Sequence, residues 1–375
     1  MKILYLTNIP SPYRVDFFNE LGKRCELTVI FESTASTERD INWRAESAKN
    51  YRAIYLKGIK IGTAESFCPQ ITRYLTSEYQ IIVIGMYSSP TSMYAIEYMK
   101  VRKIPFFLNS DGGMVKNDSL LKAKIKRHFI SAASAWLSTG DFTTNYLCYY
   151  GAKKDWIFKY PFTSMSEYDI SQAHLYKKKG KSFFRKKLGM KEKQIILTVG
   201  RFTYKNGYGK GYDTLLRAAE QMPKSIGIYI VGGDPTEEFV EWKKNKNLSN
   251  IHYVGFKKKE MLAEYYAAAD IFTLLSVNDV WGLVINEAMA YSLPIIVSNG
   301  CGAGIELIQN GVNGYVISVG DDKDFTKKSY YILKNTTLAT FMGKNNYKSI
   351  ENYTIEKMAM AHISCFDKFI SYKSR

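Results

Sequence analysis

Short apolar runs rich in β-branched and aromatic residues alternate along the chain with longer stretches whose apolar positions recur every three or four residues. In the first half "KILYLT", "ELTVIF", "QIIVIGM", "IPFFLNS" and "AWLST" read as strands, with amphipathic stretches such as "YRVDFFNELGKR" and "SLLKAKIKRHFISAA" between them. In the second half the strands are "QIILTVG", "IGIYIVGG", "NIHYVGF", "DIFTLLS", "LPIIVSN" and "GYVISV". They alternate with the helical patterns "GYDTLLRAAEQM", "PTEEFVEWKKNK", "KEMLAEYYAAA" and "GLVINEAMAYS". Strand-helix-strand order of this kind calls for parallel sheets with right-handed crossovers, so the expected fold class is α/β with two doubly wound, Rossmann-like domains. Strand signals lapse and charge takes over near residues 164–192. The expected division is a first domain over 1–165, a basic linker over 166–192 and a second domain over 193–350. A C-terminal helix over 351–375 is expected to cross back onto the first domain.

A chain of 375 residues with 46% hydrophobic content is long enough for two such cores. Five widely spaced cysteines (Cys25, Cys68, Cys148, Cys301, Cys365) contain no CxxC pair, which argues against a disulfide framework or a zinc cluster and fits a reducing compartment. The N-terminal "MKILYLTNIPSPYR" reads as a first strand and not as a signal peptide, and no apolar run approaches the length of a membrane span. A cytoplasmic protein, peripheral to a membrane at most, is expected.

The net charge of +17 is uneven. "KNDSLLKAKIKR" (116–127) carries five bases against one acid, and "KKKGKSFFRKK" (177–187) carries seven bases and no acid. Such blocks are either solvated faces or contacts for a polyanion: nucleic acid, an anionic membrane or a phosphorylated substrate.

In doubly wound sheets ligands bind beyond the carboxyl ends of the strands, so the residues after each strand matter most. After the first strand of the second domain, "VGRFTYKNGYGKGYDTLL" sets Arg201 at the strand end and Lys210 at the start of the next helix. A guanidinium, an ammonium and a helix N-terminus are three ways to hold phosphate oxygens, although Lys210-Gly211 does not complete a Walker A loop. The alternative is an ordinary exposed loop. In "NDVWGLVINEAMAYSLPIIVSNG", Asp279 is expected above a helix that runs from Gly282 to about Tyr291, with Glu287 in its second turn. The amides of Gly282, Leu283 and Val284 would face the same space, which suits a sugar nucleotide: carboxylates accept from sugar hydroxyls while amides and bases hold a diphosphate. A surface acid followed by a helix-dipole acid remains the plainer reading of these residues taken alone.

The order of these motifs carries more than any one of them. "VGR…KG…LL", "IVGGDP", "HYVGF", "WGLVINEAMAYSLPIIVSN" and "GVNGYVI" follow one another as in a known family. Residues 194–320 strongly resemble the retaining glycosyltransferases of family 4, which have the GT-B fold of two Rossmann-like domains facing a cleft. "TNIPSPYRVDFFNEL" and "LNSDGG" extend the resemblance more weakly through the first half, and it is closest to enzymes of bacterial capsule and O-antigen synthesis. The family's E-x7-E motif falls on Asp279 and Glu287, with aspartate in first place. The resemblance implies that Glu287 binds the nucleotide ribose and Asp279 the donor sugar. Arg201 and Lys210 would hold the diphosphate, and Tyr253–Phe256, with Phe256 at its end, would flank the base. Family members often place a histidine near the sugar in the first domain; none of His128, His174, His252 and His362 follows the relevant strand, where "LNSDGGM" offers Asp111. Asp111 is read as a catalytic or acceptor-side group against a turn-forming aspartate, and Arg14 after the first strand is placed near the cleft on the acceptor side as well.

No metal or cofactor is expected. The D-x-D at Asp322 and Asp324 begins a helix, where acids are favoured by the macrodipole alone. The expected reaction is metal-independent, retaining transfer of a hexose from a nucleotide-diphosphate sugar to a glycan acceptor linked to polyprenyl diphosphate. It would take place at the inner face of the membrane in surface polysaccharide synthesis. Two other readings stay open: a non-hydrolysing sugar-nucleotide epimerase of the same fold, and a basic nucleic-acid-binding protein, although no nucleic-acid reader module is recognisable.

Overall fold

"KILYLT" forms β1 (Lys2–Thr7), whose residues Ile3 to Leu6 are almost wholly buried, and the first sheet grows outward from it in both directions. The computed structural model describes residues 1–33, 48–61, 65–115, 118–202 and 204–373; Lys116, the first base of the 116–127 block, lies outside them. The chain divides into two units, residues 1–164 with 354–375, and residues 165–353.

In the first unit β1 is followed by α1 (Pro12–Gly22), β2 (Glu26–Phe31), β3 (Arg52–Tyr55) and a hairpin of β4 (Ile59–Ile61) and β5 (Glu65–Phe67). Then come β6 (Ile81–Ile84), α2 (Pro90–Arg102), β7 (Phe107–Ser110), α3 (Leu120–Ile130), β8 (Ala135–Ser138), α4 (Asp141–Tyr149) and β9 (Ile157–Lys159). Seven strands pair in the order β3-β2-β1-β6-β7-β8-β9, all parallel. The order reverses beside β1, so the carboxyl ends of β1 and β6 mark the crevice of this sheet.

The second unit opens with α5 (Glu167–Lys179) and α6 (Lys181–Lys187), and this corrects the expected linker over 166–192. Ser166 and Asp169 form a reciprocal capping box at the start of α5. Ile170, Ala173 and Phe184 are buried, and Arg185 and Lys181 both pair with Asp270, at 2.6 and 2.7 Å. The bases here line the outside of helices whose other side is packed.

The sheet that follows has β10 (Gln194–Val199), α7 (Tyr212–Gln221), β11 (Ile226–Val231), α8 (Glu237–Asn245), β12 (Ile251–Gly255), α9 (Lys259–Ala268) and β13 (Ile271–Leu274). After these come α10 (Val284–Ala290), β14 (Ile295–Ser298), α11 (Gly302–Leu307), β15 (Gly314–Ile317), α12 (Asp322–Lys334) and α13 (Thr336–Ile350). Six parallel strands pair in the order β12-β11-β10-β13-β14-β15. Here the reversal lies between β10 and β13, and the loops after those two strands carry Arg201, Lys210 and Asp279. The last helix, α14 (Ile355–Lys373), belongs to the first unit and packs on α1. No helix among the described residues is long and apolar enough to cross a membrane.

Candidate functional site

The loop after β10 is held by its aromatic residues. Phe202 is buried against Tyr212, Phe239 and Tyr253, with ring centroids 4.5, 5.7 and 5.6 Å away, while the preceding Arg201 is exposed. The Tyr212 hydroxyl donates to the Gly200 carbonyl at 2.6 Å. Lys205, Asn206 and Gly207 all take positive φ, coiling the loop tightly before Lys210. Gly211, at φ +71°, has no room for a side chain: a Cβ there would lie 2.1 Å from the Leu275 carbonyl oxygen. That close approach, with the hydrogen bond from Val277 N to Gly209 O (3.1 Å), sets the lysine loop directly against the end of β13.

Asp279 is held as firmly. Its amide donates to Gly300 O at 2.8 Å and its carbonyl accepts from Gly302 N at 3.1 Å, a one-residue parallel bridge to Cys301. Trp281 is buried, its indole donating to Asn286 Oδ1 at 3.0 Å and its carbonyl accepting from Ala303 N at 2.8 Å. The Cys301 thiol donates to the same carbonyl at 2.8 Å, and burial pushes its pKa up, so it is a packed group and not a nucleophile. Thus anchored, Asp279 Oδ2 meets Lys210 Nζ at 2.5 Å. Two residues expected to touch different parts of a donor are in contact with each other.

Helix α10 starts later than the sequence suggests. Gly282, at φ +95°, cannot be helical; a Cβ there would meet Cys301 Sγ at 2.7 Å and Leu274 Cδ2 at 2.8 Å. The helix therefore begins at Val284 with Leu283 as N-cap, which places Glu287 in the first turn and not the second. Gly282, Leu283, Val284 and Glu287 are all half-buried. Glu287 Oε2 accepts a hydrogen bond from the Tyr266 hydroxyl of α9 at 2.8 Å. Nothing in the sequence pattern flagged Tyr266, which sits in "EYYAAAD" as one apolar-face residue among several.

Elsewhere in this unit, Tyr253 is packed on Phe202 and donates to Phe239 O at 2.9 Å, whereas Phe256 is exposed. Of the D-x-D acids, Asp322 accepts from Arg217 Nε at 3.2 Å and Gln221 Nε2 at 2.8 Å, tying α12 to α7, while the backbone amide of Asp324 is capped by Asp321 at 2.9 Å.

In the first unit the structure brings Arg14 and Asp111 together. Arg14 is buried in the first turn of α1, and its Nη2 pairs with Asp111 Oδ2. Asp111 Oδ1 accepts from Asn109 Nδ2 at 2.8 Å and from the Tyr160 hydroxyl at 3.2 Å. His362, set aside by position in the sequence, is fully buried on α14, its ring 4.6 Å from Tyr160 and 4.7 Å from Phe17. Its Nδ1 lies 2.8 Å from Met358 O. Burial lowers its pKa to about 4, partly countered by the Met358 contact and reinforced by the Arg14 charge, so the ring is neutral.

Residues 180–349 match the model of the family described as glycosyl transferases group 1. That stretch lies wholly within the second unit. An uncharacterised glycosyltransferase of Haemophilus influenzae is 29% identical over 180 residues, covering 46% of this chain and 49% of its own. The chain spans about half the length of curated relatives of this kind. Among solved structures, Anabaena Alr3699/HepE in complex with UDP superposes with a TM-score of 0.72 at 16% identity over 100% of both chains. WaaG, a glycosyltransferase involved in lipopolysaccharide biosynthesis, superposes at 0.68 and 16% identity over 96% of this chain and 99% of its own. At such identities the likeness establishes the GT-B fold, with its two Rossmann-like parallel sheets. Arg201, Lys210, Asp279 and Glu287 all fall inside the matched residues.

Proposed function

We propose that the protein is a retaining, metal-independent glycosyltransferase. It takes a hexose from a nucleotide-diphosphate sugar and delivers it to a lipid-linked glycan at the inner membrane face, in surface polysaccharide synthesis. The observation that carries this reading is the Lys210–Asp279 contact at the reversal of the second sheet, beside the Glu287 helix and inside the stretch that matches the group 1 glycosyltransferase model. A neighbour of the same fold was solved with UDP and another belongs to lipopolysaccharide synthesis, which supports a nucleotide-sugar donor and a surface-glycan acceptor.

In this reading Glu287 accepts hydrogen bonds from ribose hydroxyls, Asp279 from the hexose, and Arg201 with Lys210 meets the diphosphate. With the diphosphate leaving, the acceptor oxygen bonds to the anomeric carbon on the same face, and its proton passes to the departing phosphate oxygen. Bases fixed against the developing phosphate charge stabilise that step, each worth on the order of 10²–10³ in rate. On the first unit, Asp111 orients an acceptor hydroxyl and is itself held by Arg14, Asn109 and Tyr160.

Incubation with labelled uridine, guanosine and adenosine diphosphate sugars, with and without a polyprenyl-diphosphate acceptor, tests the reaction. Acceptor-dependent transfer with the donor's anomeric configuration kept, and undiminished by a chelator, is expected. Interconversion of the donor sugar without acceptor would make the protein an epimerase, and rescue of a chelated enzyme by manganese would overturn metal independence. Arg201→Ala and Glu287→Ala should each lower transfer by roughly 10²–10³ while leaving the fold intact.

A further inference from the structure

We propose that Tyr266 is a positioning residue: its hydroxyl sets the carboxylate plane of Glu287 for a vicinal diol, the chemistry of a nucleotide ribose. The proposal rests on the donor-site reading above and names a residue that no motif contains.

A glutamate in the first turn of a seven-residue helix has three free side-chain torsions. To accept two parallel hydroxyl donors its carboxylate needs a fixed plane, and the ordering must be done before the ligand arrives. Tyr266 supplies that order. It is 2% exposed, and its hydroxyl lies 2.8 Å from Glu287 Oε2, with the Val284 carbonyl at 3.5 Å as its other neighbour. Burial and the adjacent carboxylate both hold the phenol protonated, so it donates and never competes as an anion.

The ring that carries the hydroxyl is itself held by two others. It lies 5.7 Å from Phe272 of β13, and it stacks on Tyr291 at 5.2 Å and 17°. Tyr291 meets the edge of Tyr176 on α5 at 6.4 Å, and Tyr176 stacks on the buried Phe184 of α6 at 5.3 Å and 8°. A ladder of four rings thus runs from the helices of the 166–192 segment to the carboxylate. Ring packing of this kind needs no hydroxyl, since phenylalanine would bury the same faces. The hydroxyl's function is therefore sought in Glu287.

Tyr266→Phe removes the hydroxyl and keeps the ladder, so the variant separates positioning from packing. Calorimetry on the full chain with UDP, GDP and ADP identifies the base that binds; that diphosphate and its 2′,3′-dideoxy counterpart are then titrated into wild type, Glu287→Ala and Tyr266→Phe. Tyr266→Phe should weaken the ribonucleotide roughly tenfold, the value of one hydrogen bond to a charged group, and change the dideoxynucleotide by less than about twofold. Equal losses for both ligands, or none for either, would make Tyr266 a packing residue and overturn the proposal while Glu287→Ala still erased the ribose preference. Wild-type preference for the ribonucleotide in Glu287→Ala, or no binding of any of the three diphosphates to wild type, would overturn the donor-site reading and this proposal with it.

Discussion

Lys210 and Asp279 face each other at 2.5 Å with only 18% and 19% of their side chains exposed, so each neutralises the other before any ligand arrives. On the proposed donor-site reading, a diphosphate entering here would compete with Asp279 for the ammonium. Its affinity would then be lower than the lysine alone would give, and a hexose at Asp279 would loosen the pair.

Asp279→Asn removes the competitor and keeps the shape. Free nucleoside diphosphate, which has no sugar to offer Asp279, should bind the variant about fivefold more tightly, within the range of one partly buried ion pair. Transfer should fall, because the sugar contact is lost. Calorimetry with UDP, GDP or ADP, paired with the transfer assay, reads the two effects separately. Weaker binding of the bare diphosphate to Asp279→Asn would contradict competition. Asp279→Glu keeps the charge and should retain activity.

Glu32 gives a pH-dependent stability. It is 1% exposed at the end of β2, where it accepts from Ser89 Oγ at 2.5 Å and Ser92 Oγ at 3.1 Å, and its Oε2 has no hydrogen-bond partner. Burial raises its pKa to about 7 despite the two serines, with the charge of Glu65 acting in the same direction. The folded state thus holds a proton that the unfolded chain releases near 4.5, and stability from this group is complete below pH 4.5 and lost as pH rises to about 7. Glu32→Gln should gain roughly 2–4 kcal/mol relative to wild type between pH 5 and 8 in urea unfolding. A constant difference between the two proteins across that range would mean that Glu32 does not titrate there.

His362 works in the opposite direction over nearly the same window. Its pKa falls from 6.5 to about 4 on folding, so the unfolded chain binds the proton first and stability declines as pH drops from 6.5 to 4. His362→Phe should remove that decline, again on the order of 3 kcal/mol. The two groups nearly cancel in the wild type; urea midpoints of the single variants against pH should slope in opposite senses. Parallel slopes would refute the assignment of either group.

The central strands were legible because strands buried on both faces of a parallel sheet read as unbroken apolar runs, and "KILYLT" and "ELTVIF" coincide with β1 and β2. The half-exposed edge strand β3 and the hairpin of β4 and β5, with Ile59 72% exposed, carry no such run and were not foreseen. In the 166–192 segment eleven charged residues conceal two helices, whose buried residues are Ile170 and Ala173 on the first and Phe184 on the second; contacts distant in sequence, such as Arg185 with Asp270, order them. Arg201, Lys210, Asp279 and Glu287 could be placed because chemistry and motif order coincide there. Residues that bond to the candidates could not: Tyr266 lies 21 residues before Glu287, and Tyr160 lies 49 residues after Asp111. Spatial neighbours at such separations leave no local pattern.

Membrane attachment is the expectation that the structure refines most. On α3, Lys126 is turned inward: it pairs with Asp118 at 2.7 Å and lies over the rings of Tyr150 and Tyr146, and Lys122 leans to the same carboxylate at 3.4 Å. Lys126 is spent within the protein, whereas Lys122 stays 64% exposed. The outward face is different, since Leu120 is 84% exposed, Leu121 70% and Ile125 41%, and with Lys124 they fall at positions i, i+1, i+4 and i+5. Exposed leucines beside a free-standing lysine suit an interfacial helix that inserts its apolar side among lipid headgroups, where each base adds roughly 1 kcal/mol. Co-sedimentation with vesicles should accordingly require anionic lipid and weaken with salt. Leu120→Ser with Leu121→Ser should abolish most binding and Lys124→Gln should weaken it about fivefold, whereas Lys126→Gln should act chiefly on stability. Equal loss from Lys126→Gln and Lys124→Gln would mean that the bases of α3 act as a diffuse charge, and retention of binding without the leucines would exclude insertion.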